Sequence, residues 1–558
     1  MAEGTLPSLC FPATRASGDL ATRRLSEQAA ADLAIDTLQR RFRLPAELLY
    51  GLCQDHEVIR YRQDVLADVL ASAELRRVFA EVVPMLRELA YYTKTRKEQS
   101  STLQQAVWRL GELETYVVCL QSLADAVASV ADANADPPGA AAAAPPQSLS
   151  AGLQSLARFV AERQADPIYR RLQEELPALR GGLKRRASVT IGVNLDAQLR
   201  PAEATLLRVH DTRFEDPPLL ARLFGGRSVG SAHVKLERTS NMAPLLGELE
   251  RVLGAVARPL ARSLGQFVRM QVRDLLPLER EIAFYLGASK LYEALSDAGM
   301  AVCRPEIRPP ESRSLRLEGV YNVELVLSGK YPSPAADIVA NDLDMDADGR
   351  IAVLTGPNQG GKTTYTRAIG MAQVLAQAGL HVPARAASLS PCDVVATHFP
   401  NEEGGSLEGG RLAEEAGRLA ELFGSATDQS LLLLNESLAS TSPSESLYLA
   451  EDVVRGLRYL GARAVYATHL HELGARVDQV NAQVPGRSTV VSMAAAVDTG
   501  DGGNGVRRTY RISPSPPVGL SYARDIADRY EISFERLRAR IDHHQPEDAP
   551  PSPSDQRS

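Results

Sequence analysis

Ile351-Ala-Val-Leu-Thr355 runs without a break into Gly356-Pro-Asn-Gln-Gly-Gly-Lys-Thr363, and Thr364 follows at once. The first five residues read as a short buried strand, and the next eight form a full G-x-x-x-x-G-K-[ST] pattern. Thr364–Ala378 reads as the helix that must follow, closed by Gly379 as its carboxy-terminal cap. In such a junction the backbone N–H groups of Gly360, Gly361 and Lys362 can face phosphate oxygens at the amino end of the helix. Lys362 adds a point charge, and the hydroxyl of Thr363 a ligand for magnesium. The stretch therefore predicts a site for ATP and Mg2+.

Two further strands fit around it. Ser430-Leu-Leu-Leu-Leu434 ends at Asn435-Glu436, and an acidic strand end is where P-loop enzymes hold magnesium and polarise water. Buried strands often end in acids for structural reasons, but here the end falls about 70 residues after the glycine loop. Val465-Tyr-Ala-Thr-His469 is a third strand, ending in a histidine placed to contact a γ-phosphate. Glu436, His469 and Lys362 are the expected catalytic residues, with Thr363 and Asn435 at the metal.

Working outward, short strands alternate with helices after Pro305, which signals a parallel sheet flanked by helices. Before it the text is mostly helical. Val58, Tyr61, Val65 and Val69 recur at helical spacing, and so do Leu245, Leu249, Val252 and Val256. Ser188–Asn194 and Ala204–Val209 read as a hairpin. The expected order is a polar leader over 1–45 and a helical core and lever region over 46–315. An α/β P-loop domain of ABC type over 316–541 and a disordered tail over 542–558 complete it. Residues 126–150, with Pro-Pro-Gly and an alanine run, read as a flexible insert.

At 558 residues the chain is long enough for several domains. Net charge is −7, so attraction to nucleic acid needs a local basic patch rather than a global field. There is one tryptophan, Trp108, which argues against a row of stacking platforms for single strands. The five cysteines have no paired spacing for zinc or disulfides. No basic start leads into an apolar run, and no stretch approaches the roughly 20 apolar residues that span a bilayer. A cytoplasmic protein without a membrane segment is expected.

The text itself resembles the MutS family. Thr355–Tyr365 is close to the family's TGPNMGGKST loop, with Gln359 in place of methionine. Ile338-Val-Ala-Asn-Asp342 is similar to the loop that embraces the nucleotide base, which implies base contacts from Ile338 and Asn341. Gly379-Leu-His-Val-Pro-Ala384 matches the GxxVPA run. Glu436, Thr441 and Ser442 fall on the family's glutamate and the TS that follows, and Ala467–Leu473 is similar to ATHYxEL. The resemblance implies nucleotide binding by Gly356, Pro357, Asn358, Gln359, Gly360, Gly361, Lys362, Thr363 and Thr364. It also implies an ATPase that works as a homodimer on double-stranded or branched DNA. No mismatch-reading or connector segment and no Smr segment is recognisable, so mismatch discrimination is not expected.

Three departures bear on the chemistry. Asn435 replaces the family's aspartate, which implies slow hydrolysis with binding intact. Leu438-Ala-Ser440 replaces Gly-Arg-Gly. Leu407-Glu-Gly-Gly-Arg411 resembles the ABC-type signature with Glu408 for serine, which implies contact with a partner's nucleotide through Gly409, Gly410 and Arg411. The basic runs Lys94–Lys97 and Lys184–Arg186 read first as solvated helix faces, with sequence-independent phosphate contact as the functional alternative. Two alternatives stay open: an ATPase switch acting on a protein partner without DNA, and a degenerate nucleotide-binding protein.

Overall fold

The computed structural model describes residues 7–14, 23–95, 102–133, 149–184, 188–195, 197, 201–210, 261–267, 272–346, 349–400, 410–498, 507–517 and 534–542. The chain forms two compact units, Met1–Ala13 with Ala67–Leu286 and Thr14–Leu66 with Gly287–Ser558.

The first unit is built on the helices Ala73–Thr95, Thr102–Ala133, Ala151–Ala165 and Pro167–Lys184. Phe79, Val82, Leu86 and Leu89 on one helix and Leu113, Tyr116, Leu120 and Leu123 on the next are buried at three- and four-residue spacing. Each such side chain contributes about 2 kcal/mol by leaving water. Ser188–Leu195 and Pro201–His210 pair as an antiparallel hairpin, as the sequence leads one to expect.

Two expectations are corrected in this unit. The flexible insert does not begin at 126: the helix continues to Ala133, with Ala126, Val127 and Val130 buried, because alanine and valine here extend its apolar stripe. The remainder of the insert, 134–148, lies outside the described residues. One helix, Gln105–Val130, is long and apolar enough to cross a membrane by length and composition, contrary to the reading of the text. Its apolar side faces the neighbouring helices, and near its start a buried Arg109 meets Glu112 at 2.5 Å.

In the second unit the segment expected as a polar leader is partly folded. Ser26 caps the helix Glu27–Asp32, the helix Ile35–Phe42 follows, and Leu33, Ile35 and Leu38 are buried. A Cβ added to Gly370 would lie 2.5 Å from a methyl of Leu33 and 2.6 Å from one of Leu433. The early helices thus pack directly on the helix Lys362–Gln377.

That helix lies on a six-stranded sheet. Its order is Val395–His398, Leu431–Asn435, Arg463–Thr468, Ile351–Thr355, Val490–Asp498 and Arg507–Pro514. The first five are parallel and the last is antiparallel. Every residue of Ile351–Thr355, Leu431–Asn435 and Arg463–Thr468 is buried, the pattern of strands covered on both faces. Parallel strands bring their carboxyl ends to one edge, where ligand crevices form in such sheets. A second sheet of four strands joins Glu306–Ile307, Ala386–Leu389, Leu315–Val320 and Asn341–Met345.

Candidate functional site

The glycine loop is shaped by positions that a side chain would spoil. Gly361 caps the helix with φ +91°, and Gly356 has φ +149° with Ala495 where its Cβ would be. The N–H of Gly360 donates to the carbonyl of Pro357 at 3.0 Å. That amide closes the turn, and Gly360 lines the cavity beside it. The first-turn amides from Lys362 onward are the donors at the helix's amino end.

Lys362 is buried. Its ammonium donates to the carbonyls of Gly356 at 2.9 Å and Pro357 at 3.1 Å, and stands 3.3 Å from Glu436 Oε1. Burial pulls its pKa down, and the Glu436 carboxylate opposes this. Glu436 sits just past its strand with φ +49°, its N–H donating to the carbonyl of Ala467 at 2.8 Å. Its Oε2 lies 2.6 Å from Nδ1 of His469 and accepts the His469 backbone N–H at 3.3 Å. Burial raises the Glu436 pKa, but the His469 hydrogen bond and the Lys362 charge together hold it below the usual carboxylate value. The same bond raises His469. Thr363 Oγ1 donates to Asn435 Oδ1 at 2.9 Å.

Lys362, Thr363, Glu436 and His469 line one cavity of about 710 Å3 together with Asn358, Gln359, Gly360, Gly361, Thr364, Ile338 and Asn341. That volume suits a ligand of nucleotide size. Gly356, Pro357 and Asn435 stand behind the wall and act through Lys362 and Thr363. The side chain of Asn341 is engaged with the far strand: it donates to the carbonyl of Tyr510 at 3.1 Å and accepts from the N–H of Ile512 at 2.8 Å. Asn341 therefore ties the Ile338 loop to the sheet while it lines the cavity.

Gly410 and Arg411 open the helix Gly410–Ser425 and are not among the residues lining this cavity; Arg411 lies 3.4 Å from Glu415. Gly409 and Glu408 lie outside the described residues. Ser442 caps the helix Pro443–Leu460, and Thr441 hydrogen-bonds Glu445 within it.

Tyr321, Tyr331 and Tyr510 also line the cavity and were not singled out from the text. Tyr510 lies against Gly361, its ring 3.4 Å from where a Cβ would stand. These aromatics come from three separate segments, and nothing local marks them. Gln359 adopts φ +62° and accepts a hydrogen bond from Arg508 at 2.8 Å.

Among the described residues no group of three or more His, Cys, Asp or Glu is placed to hold a metal. Thr363 and Asn435 nevertheless offer two adjacent hard oxygen atoms, which suits Mg2+ held largely by a ligand's own oxygens.

Fold and cavity define an α/β protein in which a strand, a glycine loop and a helix form one wall of a crevice closed by an acid and a histidine. Two family models match the chain, the MutS2 N-terminal domain over residues 54–298 and MutS domain V over residues 352–514. The chain belongs to the MutS family. It is 41% identical over 158 residues to the DNA mismatch repair protein MutS 2 of Halobacterium salinarum, covering 27% of this chain and 18% of that one. It is 32% identical over 209 residues to DNA mismatch repair protein MutS of Microcystis aeruginosa, covering 37% and 24%. The protein of that name from Thermosynechococcus vestitus matches over 453 residues at 27% identity, 75% of this chain and 48% of the relative. The chain thus spans less than half the length of these relatives.

Proposed function

We propose that this chain binds and slowly hydrolyses ATP, and acts on DNA as a dimer in repair or recombination. The observation that carries the reading is the linked set Lys362, Glu436 and His469 on a glycine-loop cavity of about 710 Å3. Lys362 and the helix amides would take the phosphates, Ile338, Val339 and the tyrosines the base and ribose. Glu436, ionised and hydrogen-bonded to His469, would orient a water for attack on the γ-phosphorus. The bond to the β-phosphate's bridging oxygen then breaks, leaving ADP and phosphate. Mg2+, held by Thr363 and Asn435, would neutralise charge on the phosphates.

The DNA role is supported by the family and by relatives named DNA mismatch repair proteins. The dimer is supported by the position of Gly410 and Arg411, which open a helix away from this chain's own cavity.

Titration calorimetry with Mg-ATP tests the site. Lys362→Ala should weaken binding at least hundredfold, about 2.7 kcal/mol, and equal affinity would show that the cavity is not a phosphate site. Light scattering tests the dimer. Glu436→Gln with Mg-ATP should double in mass, whereas a monomer at saturating ATP would count against pairing.

A further inference from the structure

His398 closes the edge strand Val395–His398 and is buried beside the acidic strand end, with His398 paired to Leu434. Its Nδ1 lies 2.7 Å from Oγ of Ser437, the residue after Glu436, and its Nε2 lies 3.1 Å from the carbonyl of Glu415. A carbonyl only accepts, so Nε2 carries the hydrogen. In a neutral ring Nδ1 must then accept, and the Ser437 hydroxyl donates to it. Burial, with the charge of Arg418, pushes the imidazole pKa down to about 4, so the neutral ring is the form present near pH 7. The result is an ordered chain from Ser437 through His398 to the helix Gly410–Ser425.

The turn this chain holds is strained. Glu436 and Leu438 both have positive φ, +49° and +61°, although neither is glycine. Each costs on the order of 1 kcal/mol or more, and persists only where surrounding bonds fix it. Three sets of bonds do so: Glu436 N–H to Ala467, the Tyr466 hydroxyl to the Ser437 carbonyl at 3.0 Å, and those of Ser437 Oγ to His398, 2.7 Å from its Nδ1 and 3.2 Å from its backbone carbonyl. The first two hold backbone to the neighbouring strand. The third alone reaches across to the helix that begins at Gly410.

We infer that His398 is a positioning residue for hydrolysis, which sets the direction of the Glu436 carboxylate by locking Ser437 against the helix Gly410–Ser425. The inference rests on the ATPase reading above. His398 is not among the residues lining the cavity, so its loss should spare binding and reduce turnover.

The test measures ATP affinity, kcat and melting temperature for the wild type, His398→Phe, Ser437→Ala and the double variant, with His398→Gln as the conservative replacement. Phenylalanine keeps a ring of similar size and removes both imidazole hydrogen bonds, leaving Ser437 Oγ only the backbone carbonyl of residue 398. The expected result is a kcat at least tenfold lower in each single variant, an ATP Kd within threefold of wild type, and a double variant no slower than either. His398→Gln, which can still accept and donate, should recover part of the rate. If His398→Phe does not fold, Ser437→Ala with an unchanged kcat overturns the inference by itself. A kcat within twofold in folded variants, or losses that multiply in the double variant, would also overturn it. A wild type that binds no ATP would instead overturn the ATPase reading, a separable outcome.

Discussion

Asn435 stands where the family text has an aspartate, and the structure gives it one clear partner, the hydroxyl of Thr363 at 2.9 Å. An amide keeps the acceptor oxygen of an aspartate and loses its charge. ATP should therefore still bind, through Lys362 and the helix terminus, while hydrated magnesium is held less firmly. Asn435→Asp is predicted to raise turnover severalfold at limiting magnesium with ATP affinity nearly unchanged. A steady-state magnesium titration checks this, and no gain at any concentration would mean that the missing charge is not rate-limiting. Lys362, Thr363, Glu436 and His469 were legible from the text because glycine spacing and strand ends dictate their places. Tyr321, Tyr331 and Tyr510 were not, since Tyr510 is far along the chain from the other two and only the fold brings it to their cavity. The turn that the Gly360 amide closes was not legible either, since glycine spacing does not say where each amide points.

At the scale of elements, the helix Lys362–Gln377 carries the site and is packed closely at Gly370. Leu433 reaches it from the sheet, and Leu33 from the early helices. Residues 26–42 read as polar because charged and amide side chains are scattered among mostly small apolar ones. Ala29, Ala30, Leu33, Ala34, Ile35 and Leu38 are nevertheless buried. Leu33→Ala should cost about 3 kcal/mol, the range for emptying a leucine-sized space in a core. Urea unfolding checks the value. A loss below about 0.5 kcal/mol, as for an exposed position, would mean that these helices do not support the helix behind the glycine loop. The strands were easier to read, because buried parallel strands are continuous apolar runs such as Leu431–Leu434. The end of the helix Thr102–Ala133 was harder, since alanines serve helix and linker alike.

At the scale of the whole molecule, the two units divide the sequence in an interleaved way, since the larger takes both Thr14–Leu66 and Gly287–Ser558. Of the family models, the one over 352–514 lies within the larger unit, while the one over 54–298 covers most of the smaller unit and takes 54–66 and 287–298 from the larger. A net charge of −7 makes any grip on DNA local. In the proposed function that grip answers to the nucleotide held beside Lys362. Fluorescence anisotropy of a labelled branched duplex at physiological salt measures this, with ADP and with a slowly hydrolysed ATP analogue. Affinities should differ at least tenfold between the two nucleotides, about 1.4 kcal/mol, with no difference in Lys362→Ala. Equal affinities in the wild type, or no DNA binding in either state, would contradict this dependence.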